Sequence, residues 1–364
     1  MNARENFQAM MSGQRAAWLP LNVPVTPPVA DLIAARTGVR SAELAFETDF
    51  DFVAAQYPVT PERWRAAFQQ LGFDAPATAE IEAFGVTQVA PPSDTLGSAY
   101  HLRMLLHPLA TVTSVAQLKN LPWPDTAVAD HYAAVAPRVQ QIHTRGKVAW
   151  AGLECTLFEL SWYLRGMDNL FQDLADKNGI ADWLLDYFTT RSIHAGQAFA
   201  RAGVDIIALG DDVGMQTGLL LSAPMWRHHL KPRLAAIITA IRAASSGRKI
   251  WIHYHSDGNL LPIIPELIEI GIDILNPIQS ECMSAAELVR LHGRTLGLSG
   301  LVGTQTTMPF GTPEQVRQRV REIAALHRDH GARVMIAPTH VLEPDVPWAN
   351  ILALVEETKS IRFS

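Results

Sequence analysis

Side chains that can bind a metal ion follow several apolar runs in the second half of the chain. His255 and Asp257 stand two residues apart directly after one such run. Cys282 follows the next run, and His340 comes two runs later. Two imidazoles with a carboxylate or thiolate and one open position form a common catalytic zinc arrangement. The spacing therefore predicts a zinc site, and its expected ligands are His255, Asp257, Cys282 and His340.

Simpler roles for the same residues stay open. Asp257 is as well placed to cap a helix that starts near Gly258. His255 fits a hydrogen bond to the backbone, and Cys282 fits a buried, inert thiol. Glu281, next to Cys282, is an alternative fourth ligand.

Polar residues at other strand ends complete the expected pocket. Glu154 ends an apolar run, where a carboxylate needs a partner that a metal ion or a substrate cation would supply. Asp212 follows the next run, and the expected catalytic groups are Asp212, His255 and His340. The expected substrate contacts are Glu154, Gln216, Gln279 and Gln305.

The positions of these residues follow from a repeated order of helices and strands in the second half of the chain. Gly203, Gly271 and Gly331 each follow a helical stretch and precede an apolar run, as glycines that end helices do. Continuously apolar strands separated by helices predict a parallel sheet. The strands are expected at 148–152, 249–253 and 295–299 and in the runs ending at residues 209, 275 and 337. Helices are expected at 225–244, 262–270, 285–292 and 313–330.

Two further strands, at 18–23 and 85–89, would complete an α/β fold of the (β/α)8 TIM-barrel type. The side chains at the carboxyl ends of its strands would then meet on one face. An open doubly wound sheet is the alternative, but no Gly-x-Gly-x-x-Gly fingerprint follows a strand. Residues 26–145 are expected to add helical excursions over the barrel within a single domain, 1–364.

Composition excludes several classes of protein. A net charge of −6 and a pI near 6.1 do not suit nucleic-acid binding. No apolar stretch is long enough for a membrane span, and the first residues do not resemble a signal peptide. Only two cysteines are present, so we expect a cytoplasmic protein without disulfides. A homodimer is expected from the general frequency of symmetric dimers.

Several segments, taken in order, resemble the uroporphyrinogen decarboxylase superfamily over about residues 100–360. They are 211–216, 222–226, 255–258, 271–279, 311–316, 337–340 and 345–350. The resemblance implies a (β/α)8 barrel. The Arg-rich N-terminal motif by which true uroporphyrinogen decarboxylases bind their substrate is missing from 14–22, where Arg15 is the only arginine.

The resemblance is therefore closer to the zinc methyltransferases of the superfamily, which hold zinc by a His-x-Cys pair and a later Cys. The matching positions here are His255, Asp257 and His340. The resemblance implies a zinc-dependent methyltransferase or demethylase of a small substrate, with a thiol or a separate corrinoid protein as methyl partner. A cofactor-free decarboxylase, with His340 and Asp212 handling protons, is the alternative. A non-catalytic ligand-binding barrel is the third hypothesis.

Overall fold

The computed structural model describes residues 1–90 and 104–363. Within these ranges the strands are β1 Phe50–Val53, β2 Glu80–Ile81, β3 Thr87–Val89, β4 Met104–Leu106, β5 Val148–Glu154, β6 Ile206–Gly210, β7 Gly214–Met215, β8 Gly218–Leu219, β9 Trp251–His255, β10 Ile274–Asn276, β11 Gly297–Ser299 and β12 Val334–Met335.

The helices are α1 Ala3–Met11, α2 Pro27–Thr37, α3 Ala42–Ala45, α4 Pro61–Gln70, α5 Val115–Lys119, α6 Val135–Thr144, α7 Phe158–Arg165, α8 Met167–Asp176, α9 Ile180–Ala202, α10 Ala223–His229, α11 Lys231–Ala244, α12 Ile264–Glu269, α13 Ala285–His292, α14 Thr307–Phe310, α15 Pro313–His330 and α16 Trp348–Ser360. A short 3-10 helix covers Ala129–Tyr132.

Seven strands form one parallel sheet in the order β1-β5-β6-β9-β10-β11-β12. The predicted α/β class and parallel sheet are confirmed. The strand predicted at 249–253 runs instead from Trp251 to His255, so His255 is a strand residue, paired with Gly210 and Asn276.

Helices begin and end at the predicted residues where the sequence provides favourable capping residues. α15 begins after Thr312, which forms a capping box with Gln315, and ends at Gly331 in the left-handed conformation. α13 and α15 have the bounds predicted from sequence. The single helix predicted at 225–244 is divided into α10 and α11, because Pro232 lacks an N–H and favours a new helix start.

The upstream strands differ from the prediction. β1 was not predicted, yet it pairs with β5 through Phe50 and Val148. The prediction that residues 85–89 form a strand of the main sheet is wrong. The strand found there is β3, which pairs antiparallel with β2 and β4 in a separate sheet. The strand predicted at 18–23 is reduced to a parallel bridge between Leu21 and Ile336.

The two faces of the main sheet bury different cores. One face packs side chains such as Ala151, Leu209 and Tyr254 into the larger core beneath the helices. The opposite face, here called the α1 face, buries Phe50, Val148, Ile206, Trp251 and Ile274 against Phe7 and Met10 of α1. Strand residues alternate between faces, so the α1 face continues into inward-facing residues at the strands' carboxyl ends. In the described ranges, no helix is long and apolar enough to cross a membrane.

Candidate active site

A cavity of about 600 Å³ lies where the strands of the main sheet end. Its carboxyl-bearing lining residues are Glu154, Glu159, Asp212 and Asp257. Its histidines are His253, His255 and His340. No lysine or arginine is found among the described residues that line it. The cavity therefore brings several acidic groups together with imidazoles.

Strand alternation explains why these side chains converge. Trp150 and Glu154 are four residues apart on β5, and His253 and His255 are two apart on β9. Residues at even spacing share one face of a strand, and all four line the cavity. The cavity is therefore the continuation of the α1 face beyond its apolar core.

Two glycines bring the loops after β6 and β9 together. A Cβ on Gly214 would lie 2.3 Å from the carbonyl oxygen of Asp257, and one on Gly258 would lie 2.7 Å from the backbone of Met215. Gly258 also has a φ of +87°, which disfavours other residues. Asp257 consequently donates its N–H to Oδ1 of Asp212 at 2.8 Å. The sequences Asp211–Gly214 and His255–Gly258 thus form one structural unit.

Asp212, His255 and Asp257 form a cluster that could hold a metal ion. One ligand atom of each lies within 4.8 Å of the other two. His255 Nε2 is 3.9 Å from Asp212 Oδ1 and 4.0 Å from Asp257 Oδ1. A tetrahedral zinc site with bonds of about 2.05 Å has ligand–ligand distances of about 3.3 Å. The cluster would have to contract by only a fraction of an ångström per ligand.

The second ring nitrogen of His255 fixes its orientation. Nδ1 donates to the side-chain oxygen of Asn276 at 2.7 Å, so Nε2 is the nitrogen directed at the carboxylates. Metal-binding histidines commonly make such an outer hydrogen bond. Burial opposes protonation of His255, but Asp212 and Asp257 outweigh it, so its pKa is raised. The pair of carboxylates therefore attracts a cation, either a proton or a metal ion. The donor set of one imidazole and two carboxylates fits zinc and harder divalent ions.

Glu159 is a second acidic group, held on α7 rather than on a strand. Its carboxylate accepts hydrogen bonds from Tyr163 Oη at 2.6 Å and from the N–H of Asp212 at 3.1 Å. Burial, and then the charge of Asp212, raises the pKa of Glu159 to about 7. Asp211 positions this helix, because its fully buried carboxylate accepts from the N–H groups of Leu157 and Glu159. Of the two adjacent aspartates, Asp211 caps a helix and Asp212 faces the cavity.

Glu154 lines the wall of the same cavity. The protein atoms crowded around its carboxyl raise the pKa of Glu154 to about 7, although the residue keeps accessible surface. Its own backbone N–H and the charge of His255 lower this pKa, but by less than burial raises it. A carboxyl with this pKa exists in both protonation states near neutral pH and is able to hold or release a proton.

The other two predicted ligands are not members of this cluster. The ring of His340 lines the cavity with its centroid 5.9 Å from that of His255, but it is not part of the three-residue cluster. Cys282 is directed to Gln279 and Gln216, with its Sγ 3.6 and 3.7 Å from their side-chain oxygens. The structure thus joins Asp212, rather than Cys282, to His255 and Asp257.

The three predicted glutamine contacts lie outside the cavity lining. Gln279 is buried and accepts the N–H of Gly258 at 2.8 Å. Gln216 donates to Gln305 at 3.2 Å, and both side chains are exposed there. Gln279 supports the loop that carries Asp257, while Gln216 and Gln305 form an exposed pair outside the lining.

The sequence model of the uroporphyrinogen decarboxylase (URO-D) family matches residues 81–361. The chain belongs to this family. The resemblance inferred from the strand-end motifs is thereby confirmed.

Two proteins that resemble this URO-D family member, one in sequence and one in fold, are methyltransferases. The methylcobamide:CoM methyltransferase MtaA of Methanosarcina barkeri is 25% identical over 179 residues, which are 49% of this chain and 48% of that protein. The match thus spans about half of the length of that relative. The structure of a methyltransferase from Methanosarcina mazei superposes with a TM-score of 0.63 at 18% identity, covering 99% of both chains. This second likeness shows a shared fold.

Some cavity residues of this URO-D family member were missed in the sequence. His253 was not among the predicted site residues, yet it contacts Trp150 and lines the cavity. Its even spacing from His255 was a usable signal. Glu159 and Tyr163 were not predicted, because a helix that follows a strand gave no sign of which face would turn inward. Their spacing of four places them on one helix face, and only the fold identifies that face.

Proposed function

We propose that this protein is a metal-dependent methyltransferase or demethylase of a small methylated substrate. The observation that carries the proposal is the cluster of Asp212, His255 and Asp257 at the carboxyl ends of the strands of the main sheet. Its ligand atoms lie within 4.8 Å of one another. Membership in the URO-D family and the methyltransferase relatives agree with it. Zinc is the ion we propose. When bound, it would supply a Lewis acid that lowers the pKa of a thiol or polarises a leaving group.

The carboxyls around the cluster suit the proton transfers of such a reaction. A methyl group would pass, without its bonding electron pair, from a substrate heteroatom to a thiolate sulfur or to the reduced cobalt of a separate corrinoid protein. The electron pair would stay on the leaving heteroatom, which then accepts a proton. Glu154 and Glu159, each with a pKa of about 7, are the groups we propose to deliver it.

The architecture we propose is a closed (β/α)8 barrel made by a single domain over 1–364. Leu21 bridges Ile336 beyond β12, and its carbonyl accepts the N–H of Asp49, directly before β1. Residues near Leu21 therefore connect with both edges of the sheet, as an eighth strand would. A cytoplasmic homodimer remains the expected state.

A cofactor-free decarboxylase of a carboxylated substrate fits the cavity less well. Two like charges 4 Å apart repel by about 4 kcal/mol at an effective dielectric of 20. A substrate carboxylate would meet four protein carboxyl groups, and the described lining offers no lysine or arginine to pair with it. The substitution His255→Ala distinguishes an enzyme from the third hypothesis, a non-catalytic ligand-binding barrel. It would leave the function of a simple binding protein intact.

Zinc content tests the metal centre. The full chain, purified without chelator, should contain about one zinc per chain, and His255→Ala and Asp257→Ala should lose most of it. Cys282→Ser is the matched control and should keep zinc, because Cys282 lies outside the cluster. Less than about a tenth of an equivalent of zinc, together with unchanged methyl transfer after chelation, would refute the proposal. Loss of zinc only in Cys282→Ser would refute the ligand set.

A further inference from the structure

One buried imidazole faces the cavity without a hydrogen bond. His253 is 2% exposed, and neither of its ring nitrogens has a hydrogen-bond partner. Its ring packs against Trp150, with centroids 4.6 Å apart. Buried polar groups are nearly always hydrogen-bonded, and a neutral imidazole has one donor and one acceptor. A ligand group that can hydrogen-bond is therefore expected at the floor of the cavity.

The walls around this floor are rich in acidic groups. Glu154, Glu159, Asp212 and Asp257 line the cavity, and no basic side chain does so within the described ranges. A divalent ion held by the cluster would neutralise only Asp212 and Asp257. Glu154 and Glu159 would still favour a positively charged ligand.

Two aromatic residues share the cavity lining with these carboxyl groups. Trp150 and Phe52 both line the cavity, and their ring centroids are 5.8 Å apart. The faces of aromatic rings attract alkylated ammonium groups, and Trp does so most strongly. Phe52 is 37% exposed and Trp150 only 4%, so Phe52 supplies the accessible aromatic surface of the cavity. Together with the carboxyl groups of the lining, this surface suits a methylated cation better than a neutral or anionic molecule.

We propose that the cavity binds a small methylated ammonium ion, with its cationic head between Glu154 and the ring of Phe52, which packs on Trp150. Its hydrogen-bonding group would reach His253. The inference rests on the proposed function, since it names the class of methylated substrate that the same site takes.

The test compares a cation with its uncharged isostere. Choline and 3,3-dimethylbutan-1-ol have nearly the same shape and hydroxyl group but differ in charge. Isothermal titration of the full, zinc-loaded chain should give choline the higher affinity by roughly tenfold or more, as expected of a desolvated cation–π contact. Glu154→Gln should remove most of this preference and leave the affinity for the alcohol unchanged. Glu62→Gln is the matched control, because Glu62 is exposed on α4.

Equal affinity for the two compounds, or no saturable choline binding up to about 10 mM, overturns the inference. A choline preference that survives Glu154→Gln also overturns the placement of the cationic head. Failure of the proposed function looks different: choline would bind with the expected preference, but no methyl group would reach a thiol or a corrinoid protein. Methyl transfer from neutral ethers without a choline preference would keep the function and remove the inference.

Discussion

Replacement of Glu159 by glutamine should remove part of the pH dependence of stability. The pKa of this carboxyl is raised from 4.5 to about 7 by burial and by the charge of Asp212, and the residue is only 6% exposed. Below pH 4.5 the carboxyl is protonated in both the folded and the unfolded chain, so it contributes no difference. Between pH 4.5 and 7 the unfolded chain ionises first. The free energy of unfolding therefore falls as the pH rises, until the full cost is present above pH 7.

The size of the effect follows from the two pKa values. Each unit is worth about 1.4 kcal/mol, so ionised Glu159 costs the folded state about 3 kcal/mol above pH 7. Most of that, about 2.5 kcal/mol, develops between pH 5 and pH 8. Glutamine keeps the local hydrogen bonds, because its oxygen can accept from the N–H of Asp212 while its amide donates to Tyr163 Oη.

Urea unfolding of metal-free protein at pH 5 and pH 8 measures the difference. Chelation matters, because a cation beside Asp212 would lower the pKa of Glu159. Glu159→Gln should gain about 2–3 kcal/mol relative to the parent chain between these two pH values. Glu62→Gln, at an exposed position, serves as the control and should show no such gain. A constant difference between Glu159→Gln and the parent chain at both pH values would refute the reasoning.

Two further predictions concern groups that position the site. Asn276→Ala removes the side-chain oxygen that accepts the His255 Nδ1 proton at 2.7 Å. Zinc affinity, measured by competition with a chelating dye, should fall roughly 10- to 100-fold. Asn276→Asp keeps an acceptor oxygen and should retain the zinc affinity. Gly152→Ala would place a Cβ 2.8 Å from Oε2 of Glu154 and displace that flexible carboxylate. Choline affinity should then fall while zinc content stays unchanged, and an unaltered choline affinity would contradict the position given to Glu154.

Local sequence predicted some elements well for identifiable reasons. α13 and α15 match their predicted bounds, because Ser284, Thr312 and Pro313 fix the starts of these helices and Gly331 fixes the end of α15. β1 was missed, because its four residues, Phe50–Val53, carry too little periodicity to be recognised as a strand. Its place beside β5 depends on pairing with Val148, almost 100 residues further along the chain, and no local pattern reveals such a partner.

The sequence by itself determined which side chains stand at the strand ends. A buried strand ends where polar residues begin, so Glu154, Asp212 and Asp257 were recognisable as candidates before any fold was known. Tertiary structure decided which of them meet. Backbone contact at Gly214 and Gly258 sets Asp212 beside His255 and Asp257, whereas Cys282 is turned towards glutamines.

The physical reason is the short range of coordination and hydrogen bonding. A difference of one or two ångströms in position decides whether a side chain can be a ligand. Packing between segments that are distant in the sequence determines that position. The same holds for Glu159, which reaches the cavity because Asp211, directly after β6, accepts the N–H groups at the start of α7. Residue type and strand position can be predicted from sequence, but the distances between side chains follow from the packed fold.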